Sequence, residues 1–171
     1  MKKYISMMAM ALMLSMSFTA CSVETDEKPG GTNIQDMCGN WDVTWYVVWP
    51  DGEEEEWTDG TIFTFNKADN GTTQMWVSDQ DTYLGLQFLA NIDYAAKTFT
   101  AAESENVEGG GTVNVTNGKI LPGAGKNIHG VACDSISFEI TFSDDPYPAK
   151  YGYADFSHYR VEGKRYSGFT E

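Results

Sequence analysis

Basic residues are scarce in this chain. Of its 171 residues only 11 are Lys or Arg, against 25 Asp or Glu, a formal charge of −14. Lys2 and Lys3 fall in a leader segment described below, so nine basic side chains remain to face the 25 acidic ones. That balance excludes a nucleic-acid binder, which needs a positive face to displace counterions from phosphate. Histidine is limited to His129 and His158, and cysteine to Cys21, Cys38 and Cys133. Neither Cys38 nor Cys133 has a Cys or His neighbour at zinc-ligand spacing. No apolar run after residue 20 is long enough to span a bilayer. No G-x-S-x-G nucleophile elbow occurs, and no pattern asks for a cofactor or a metal. The six carboxylates from Asp51 to Asp59 lack the Asp-x-Asp-x-Asp-Gly order and distal Glu of a calcium loop, so they read as a solvated hairpin tip. What is present is 42% hydrophobic and 13% aromatic content in one domain's length of chain, too apolar for a disordered acidic tail.

Six of the eight Met lie in the first sixteen residues. Residues 1–20 combine Lys2 and Lys3, an apolar stretch from Ile5 to Phe18 and small residues before Cys21, the three-part form of a secretory signal. Thr19, Ala20 and Cys21 resemble a bacterial lipobox, with Phe18 where Leu is usual. The resemblance implies that Cys21 becomes a lipidated N-terminal residue anchoring the protein to a membrane, several acyl chains meeting the two-chain requirement for stable attachment. Residues 21–36 read as a flexible tether: acidic residues, Gly, Pro, Thr and Asn, without aromatics. Ser22 stands where Asp would resemble an inner-membrane retention signal. Glu24, Asp26 and Glu27 resemble surface-export signals of Gram-negative lipoproteins, so an outer-membrane, outward-facing position is expected.

From residue 37 to 171 the chain alternates with period two, the mark of half-buried strands. Trp41, Val43, Trp45, Val47 and Trp49 share one face of the first run. Pro50, Asp51 and Gly52 supply a reversal into a partner from Glu54 through Phe65. Asp69, Asn70 and Gly71 mark the next turn, before residues 72–79. Leu84, Leu86, Phe88, Ala90, Ile92 and Tyr94 form another stripe, followed by a turn at Ala95 to Lys97. Residues 97–104, 112–116, 119–121, 133–142 and 151–163 complete the strands, with Asn117-Gly118 expected as a tight turn. Sequential hairpins of this kind give an all-β, antiparallel up-and-down meander of about eight strands that closes into a barrel and so removes its edges. An open sandwich is the alternative.

The aromatic stripe supplies the candidate ligand contacts: Trp41, Trp45, Trp49, Trp57, Trp76 and Phe88. Large aromatics fill small cores, or they line a mouth where an indole covers an acyl chain or stacks on a sugar. Trp49 and Trp57 flank the acidic turn and are the best placed for the second role. For catalysis, His129 or His158 can serve as base for Ser135, Ser137 or Ser157, but spacing selects none. Cys38 and Cys133 can pair as a disulfide or stand as separate thiols.

Several separated stretches carry a wider resemblance: GNWDVTWY, FTFNKADNGTTQMWVSD, IDYAAKTFTA, DSISFEITFSDD and the closing YRVEGKRYSGFTE. Together they resemble a family of bacterial outer-envelope lipoproteins described as lipid-binding putative hydrolases, with a lipocalin-like (calycin-type) barrel. Lys67 and Ala68 follow Asn66 where the family has Thr-Ala, and the closing segment differs around Lys164 to Ser167. The resemblance implies a barrel that binds a small hydrophobic or amphipathic, lipid-like ligand. An accessory lipoprotein whose aromatic outer face contacts a polysaccharide or a surface complex is the alternative, and a lipid esterase a third.

Overall fold

The computed structural model describes residues 31–80, 84–144 and 157–168. The leader, Cys21 and the tether as far as residue 30 lie outside the described residues. The chain is a closed antiparallel barrel in strict sequence order, β1 (Gly39–Val48), β2 (Glu54–Asn66), β3 (Gln74–Ser78), β4 (Gln87–Asp93), β5 (Thr98–Glu105), β6 (Thr112–Lys126), β7 (Ala132–Phe142) and β8 (His158–Arg165). β8 returns to pair with β1 from Trp41↔Arg165 to Val48↔His158, which closes the ring and leaves no strand edge.

The alternation works as the sequence predicts. In β1 the side chains of Trp41, Val43, Trp45 and Val47 are buried while Asn40, Asp42, Thr44 and Tyr46 are only half-buried. Opposite them come Ile62 from β2, Met75 and Val77 from β3, Phe88 and Ala90 from β4, Phe99 from β5, and Ile136, Phe138 and Ile140 from β7. Each core indole withdraws about 150–250 Å² from water, roughly 4–6 kcal/mol of gross transfer free energy. The 49–53 turn forms through Trp49 N–H to Glu53 O (2.8 Å) and Gly52 N–H to Trp49 O (2.9 Å), with Gly52 at φ +87.

Three features depart from the sequence reading. The packed domain starts before residue 37: Ile34 and Met37 are fully buried, and Gln35–Met37 form a single 3-10 turn that plugs the end of the barrel at which β1 begins. Composition hides this, because two apolar side chains suffice. Asn117-Gly118 is not a hairpin turn but a bulge inside the continuous β6, which pairs with β7 on both sides of it. Asn117 takes φ +54 there, and a Cβ on Gly118 would lie 2.4 Å from Phe99 O. A two-residue Asn-Gly turn and a bulge share the need for positive φ, so local chemistry does not separate them. Finally, β4 starts at Gln87 rather than Leu84. Residues 84–86 are instead held by the buried Asp79 carboxylate, which accepts from Leu84 N–H (2.9 Å) and Leu86 N–H (2.8 Å).

Candidate ligand-binding site

The upper end of the barrel is the one at which β1, β3, β5 and β7 end and β2, β4, β6 and β8 begin. Two half-buried indoles sit there, both packed against the core. Trp49 is delivered by the tight turn after β1. Trp57 is the extra residue of a bulge, since Trp45 pairs with Thr58 and Tyr46 with Glu56. That extra residue lets Trp57 stack on the buried Tyr159 ring of β8, with centroids 5.3 Å apart at 29°. Tyr159 meets Trp45 edge-on at 5.9 Å and Phe142 edge-on at 5.9 Å. Trp45 in turn meets Phe138 at 6.4 Å, and Phe138 meets Phe99 at 5.6 Å. An unbroken aromatic column therefore runs from the upper end to the middle of the barrel. Its surroundings are fixed by buried polar groups, Asp79 under the 79–86 connection and Asn106, whose Oδ1 accepts from Gln87 N–H (2.9 Å).

Below the upper end the interior is packed. Trp41, Trp45 and Phe88 are between 0 and 2% exposed, and a ligand-sized void touching them would leave its lining accessible. The six aromatics expected to form one set thus divide. Trp41, Trp45 and Phe88 build the core, and Trp49 and Trp57 reach the surface at the upper end. Trp76 points outward, because Met75 and Val77 on either side of it face in. Sequence reasoning misses Tyr159; the alternation that buries it with Val161 in β8 is the available signal, but its stacking on Trp57 depends on knowing the partner strands.

A family model described as "Lipid-binding putative hydrolase" matches residues 26–170. The chain belongs to this family. No curated protein matches it. The match to the lipid-binding putative hydrolase family spans all eight strands of the barrel.

For hydrolysis, one of the candidate pairs is in contact, the two residues that are adjacent in sequence. His158 Nδ1 lies 3.1 Å from Ser157 Oγ on an outer cleft of about 170 Å³ that Glu139 also lines. The Glu139 carboxylate accepts from Thr116 Oγ1 (3.1 Å) and Asn117 Nδ2 (2.9 Å). A hydroxyl beside an imidazole is one of the three parts that serine hydrolysis requires, the others being an orienting group and oxyanion donors. Ser135 and Ser137 lie on a different outer cleft, of about 610 Å³, with Lys119 and Lys164, and His129 sits exposed in the β6–β7 hairpin tip. A further cleft of about 430 Å³ lies between that hairpin tip and the outer face of β8, β1 and β2, lined by Asp42, Thr44, Asp59, Ile128, Lys164 and Tyr166 among others.

Cys38 and Cys133 are free thiols in the structure, both half-buried; burial pushes the Cys38 thiol up, against hydrogen bonds from Thr32 and the Asn66 backbone. Among the described residues no group of three or more His, Cys, Asp or Glu is placed to share a metal ion. The acidic hairpin tip is tied into the sheet instead, Arg160 Nε donating to Glu54 Oε1 (2.7 Å) with its guanidinium 4.2 Å over the Tyr46 ring.

Proposed function

We propose that this family member is an outer-membrane, surface-exposed lipoprotein, anchored through Cys21, whose barrel is a packed scaffold that holds an amphipathic, lipid-like molecule at its upper end. The observation that carries the reading is the pair of half-buried indoles at the upper end, Trp49 and Trp57, with Trp57 stacked on Tyr159 where the aromatic column meets solvent. Covering such rings with an acyl chain removes apolar surface from water at roughly 25 cal/mol per Å² without opening the core. The exposed carboxylates of Asp51, Glu53, Glu55 and Glu56 beside these rings disfavour an anionic head group, so a neutral or cationic one fits better. A second reading, a hydroxyl-rich saccharide on the cleft above β8, β1 and β2, is favoured by the carboxylates, hydroxyls and part-exposed Tyr166 found there.

The neutral probe N-phenyl-1-naphthylamine tests the first reading. It should gain fluorescence with the mature protein and be displaced by a monoacylglycerol more readily than by the matching fatty acid at pH 7. Trp49→Ala and Trp57→Ala should each weaken probe binding at least fivefold while unfolding stays cooperative. Unchanged affinity in both variants removes the upper end as the site.

A further inference from the structure

The outer face of β2, β3 and β4 is unlike the rest of the barrel's exterior. Phe65, Trp76 and Leu89 lie directly opposite one another on three neighbouring strands, and Phe63 shares their face one repeat further along β2. Phe65 is 38% exposed and its ring stacks on Trp76 at 6.5 Å and 22°. Elsewhere on the exterior, β1 presents Asp42 and Thr44 outward, and β6 presents Asn114 and Thr116. An antiparallel barrel strand normally turns polar residues to solvent, so an aromatic row there marks a surface that contacts something.

What covers it is indicated by where the chain enters the domain. Asn33 N–H donates to Asn70 Oδ1 (2.9 Å), and Asn33 Nδ2 donates to Asn70 O (2.7 Å). Asn70 sits in the β2–β3 turn, and Phe65↔Trp76 is one register step from the last pair before that turn, Asn66↔Met75. The packed chain therefore begins beside the aromatic row. Eleven residues lie between Cys21 and Asn33, a contour of at most about 40 Å. A membrane held at that distance meets this face at millimolar effective concentration, so even a weak contact is populated.

We infer that the Phe65–Trp76–Leu89 face docks the barrel onto the interfacial layer of the bilayer carrying its own anchor, with Trp76 at the head-group level. The inference rests on the proposed lipidation of Cys21. Trp and Phe suit this layer because they combine a large apolar area with, for Trp, an N–H that can stay hydrated. Because the protein is strongly acidic, the contact is apolar rather than electrostatic and belongs to zwitterionic lipid, with little salt dependence.

The acylated protein, purified from membranes and reconstituted in phosphatidylcholine–phosphatidylethanolamine vesicles, provides the test through quenching by lipids brominated near the top of the acyl chain. Trp41 and Trp45 are shielded by burial, so quenching should reside in Trp76: Trp76→Phe should remove more than half of it, and Phe65→Ser should reduce it at an unchanged urea midpoint. Quenching that persists in Trp76→Phe and disappears in Trp49→Phe or Trp57→Phe overturns the inference, since the upper end then faces the membrane. Absence of quenching in every form overturns it too, as does a Trp76 emission shift caused by soluble polysaccharide and not by vesicles. Intact mass separates the two levels: a mature protein without acyl mass refutes the anchor, whereas an acylated protein without Trp76 quenching refutes only the docking face.

Discussion

The guanidinium carbon of Arg165 lies 4.5 Å from the ring centroid of Trp41. From that position Arg165 donates to Cys38 O (2.7 Å), Asp36 O (3.1 Å) and the Asp134 carboxylate (3.1–3.2 Å). One planar side chain thus joins the end of β8 to β1, to the 3-10 turn and to β7, and it covers the buried indole at the lower end. Arg suits this position because its fork reaches several acceptors in fixed geometry while its face stacks on a ring. Arg165→Ala should cost about 2–4 kcal/mol, since it strips charged hydrogen bonds from two carbonyls as well as the ring contact. Arg165→Lys should recover less than half. Urea midpoints measure both, and a loss below about 1 kcal/mol for the Ala variant contradicts this role.

Beneath that contact, Trp41 Nε1 donates to Thr64 Oγ1 (2.9 Å), and Thr64 Oγ1 donates to Met37 O (2.6 Å). The hydroxyl is buried and serves as acceptor and donor at once. Thr64→Val keeps the shape but leaves an indole N–H and a carbonyl unsatisfied, at a cost of about 2–4 kcal/mol. Thr64→Ser keeps both bonds and should lose under about 1.5 kcal/mol, the lost methyl alone. Denaturant titration that ranks the two variants the other way round argues against the hydrogen-bond relay.

Gly118 offers a test of the bulge in β6. A Cβ there would meet not only Phe99 O but the Phe99 ring at 2.7 Å, and a backbone oxygen cannot move aside as a flexible side chain does. Gly118→Ala should therefore destabilise by more than about 2 kcal/mol through overpacking. Asn117→Gly should stay within about 0.5 kcal/mol, because its positive φ suits glycine. If Gly118→Ala were as stable as the parent, the bulge would have to be pliable.

These elements show how far the residues alone carry the architecture. The period-two stripe from Trp41 to Val47 and the turn chemistry at 50–52 and 69–71 specify strands and hairpins locally, and a run of hairpins leaves closure as the natural way to pair β1 with β8. The bulges at Trp57 and at 117–118 were not legible, because a bulge is a mismatch between two strands and appears only once their register is known. The same limit hid the candidate site. Trp57 and Trp76 look alike in sequence, yet one extra residue sends the first toward Tyr159, and parity sends the second outward to Phe65.

The last prediction concerns Asp36, which accepts from Lys97 Nζ (3.0 Å) and Tyr94 Oη (3.1 Å) and so ties the 3-10 turn to the β4–β5 connection. The hydrogen bond from Lys97, then that from Tyr94, then the Lys97 charge hold the Asp36 carboxyl below its usual range. Burial alone would lower the Lys97 pKa, but its bonds to Asp36 and Tyr94 outweigh this and raise it. A carboxylate with a depressed folded pKa contributes stability above its unfolded value, about 3.9, and loses it as pH falls through the folded value. A lysine with a raised folded pKa contributes below about 10.4 and loses this as pH climbs through the folded value. Both contributions coexist on a plateau between about pH 5 and 9. The pair is well exposed on the Asp36 side, so solvent screening limits the gain to less than about 1 kcal/mol. Asp36→Asn should accordingly lower the urea midpoint slightly at pH 7, converge with the parent as pH falls through the depressed folded value of Asp36, and differ less in 0.5 M salt than in dilute buffer, at roughly a third of the Debye length. A difference that stays constant from pH 2 to 7 would assign the effect to packing of the 3-10 turn instead of to the ion pair.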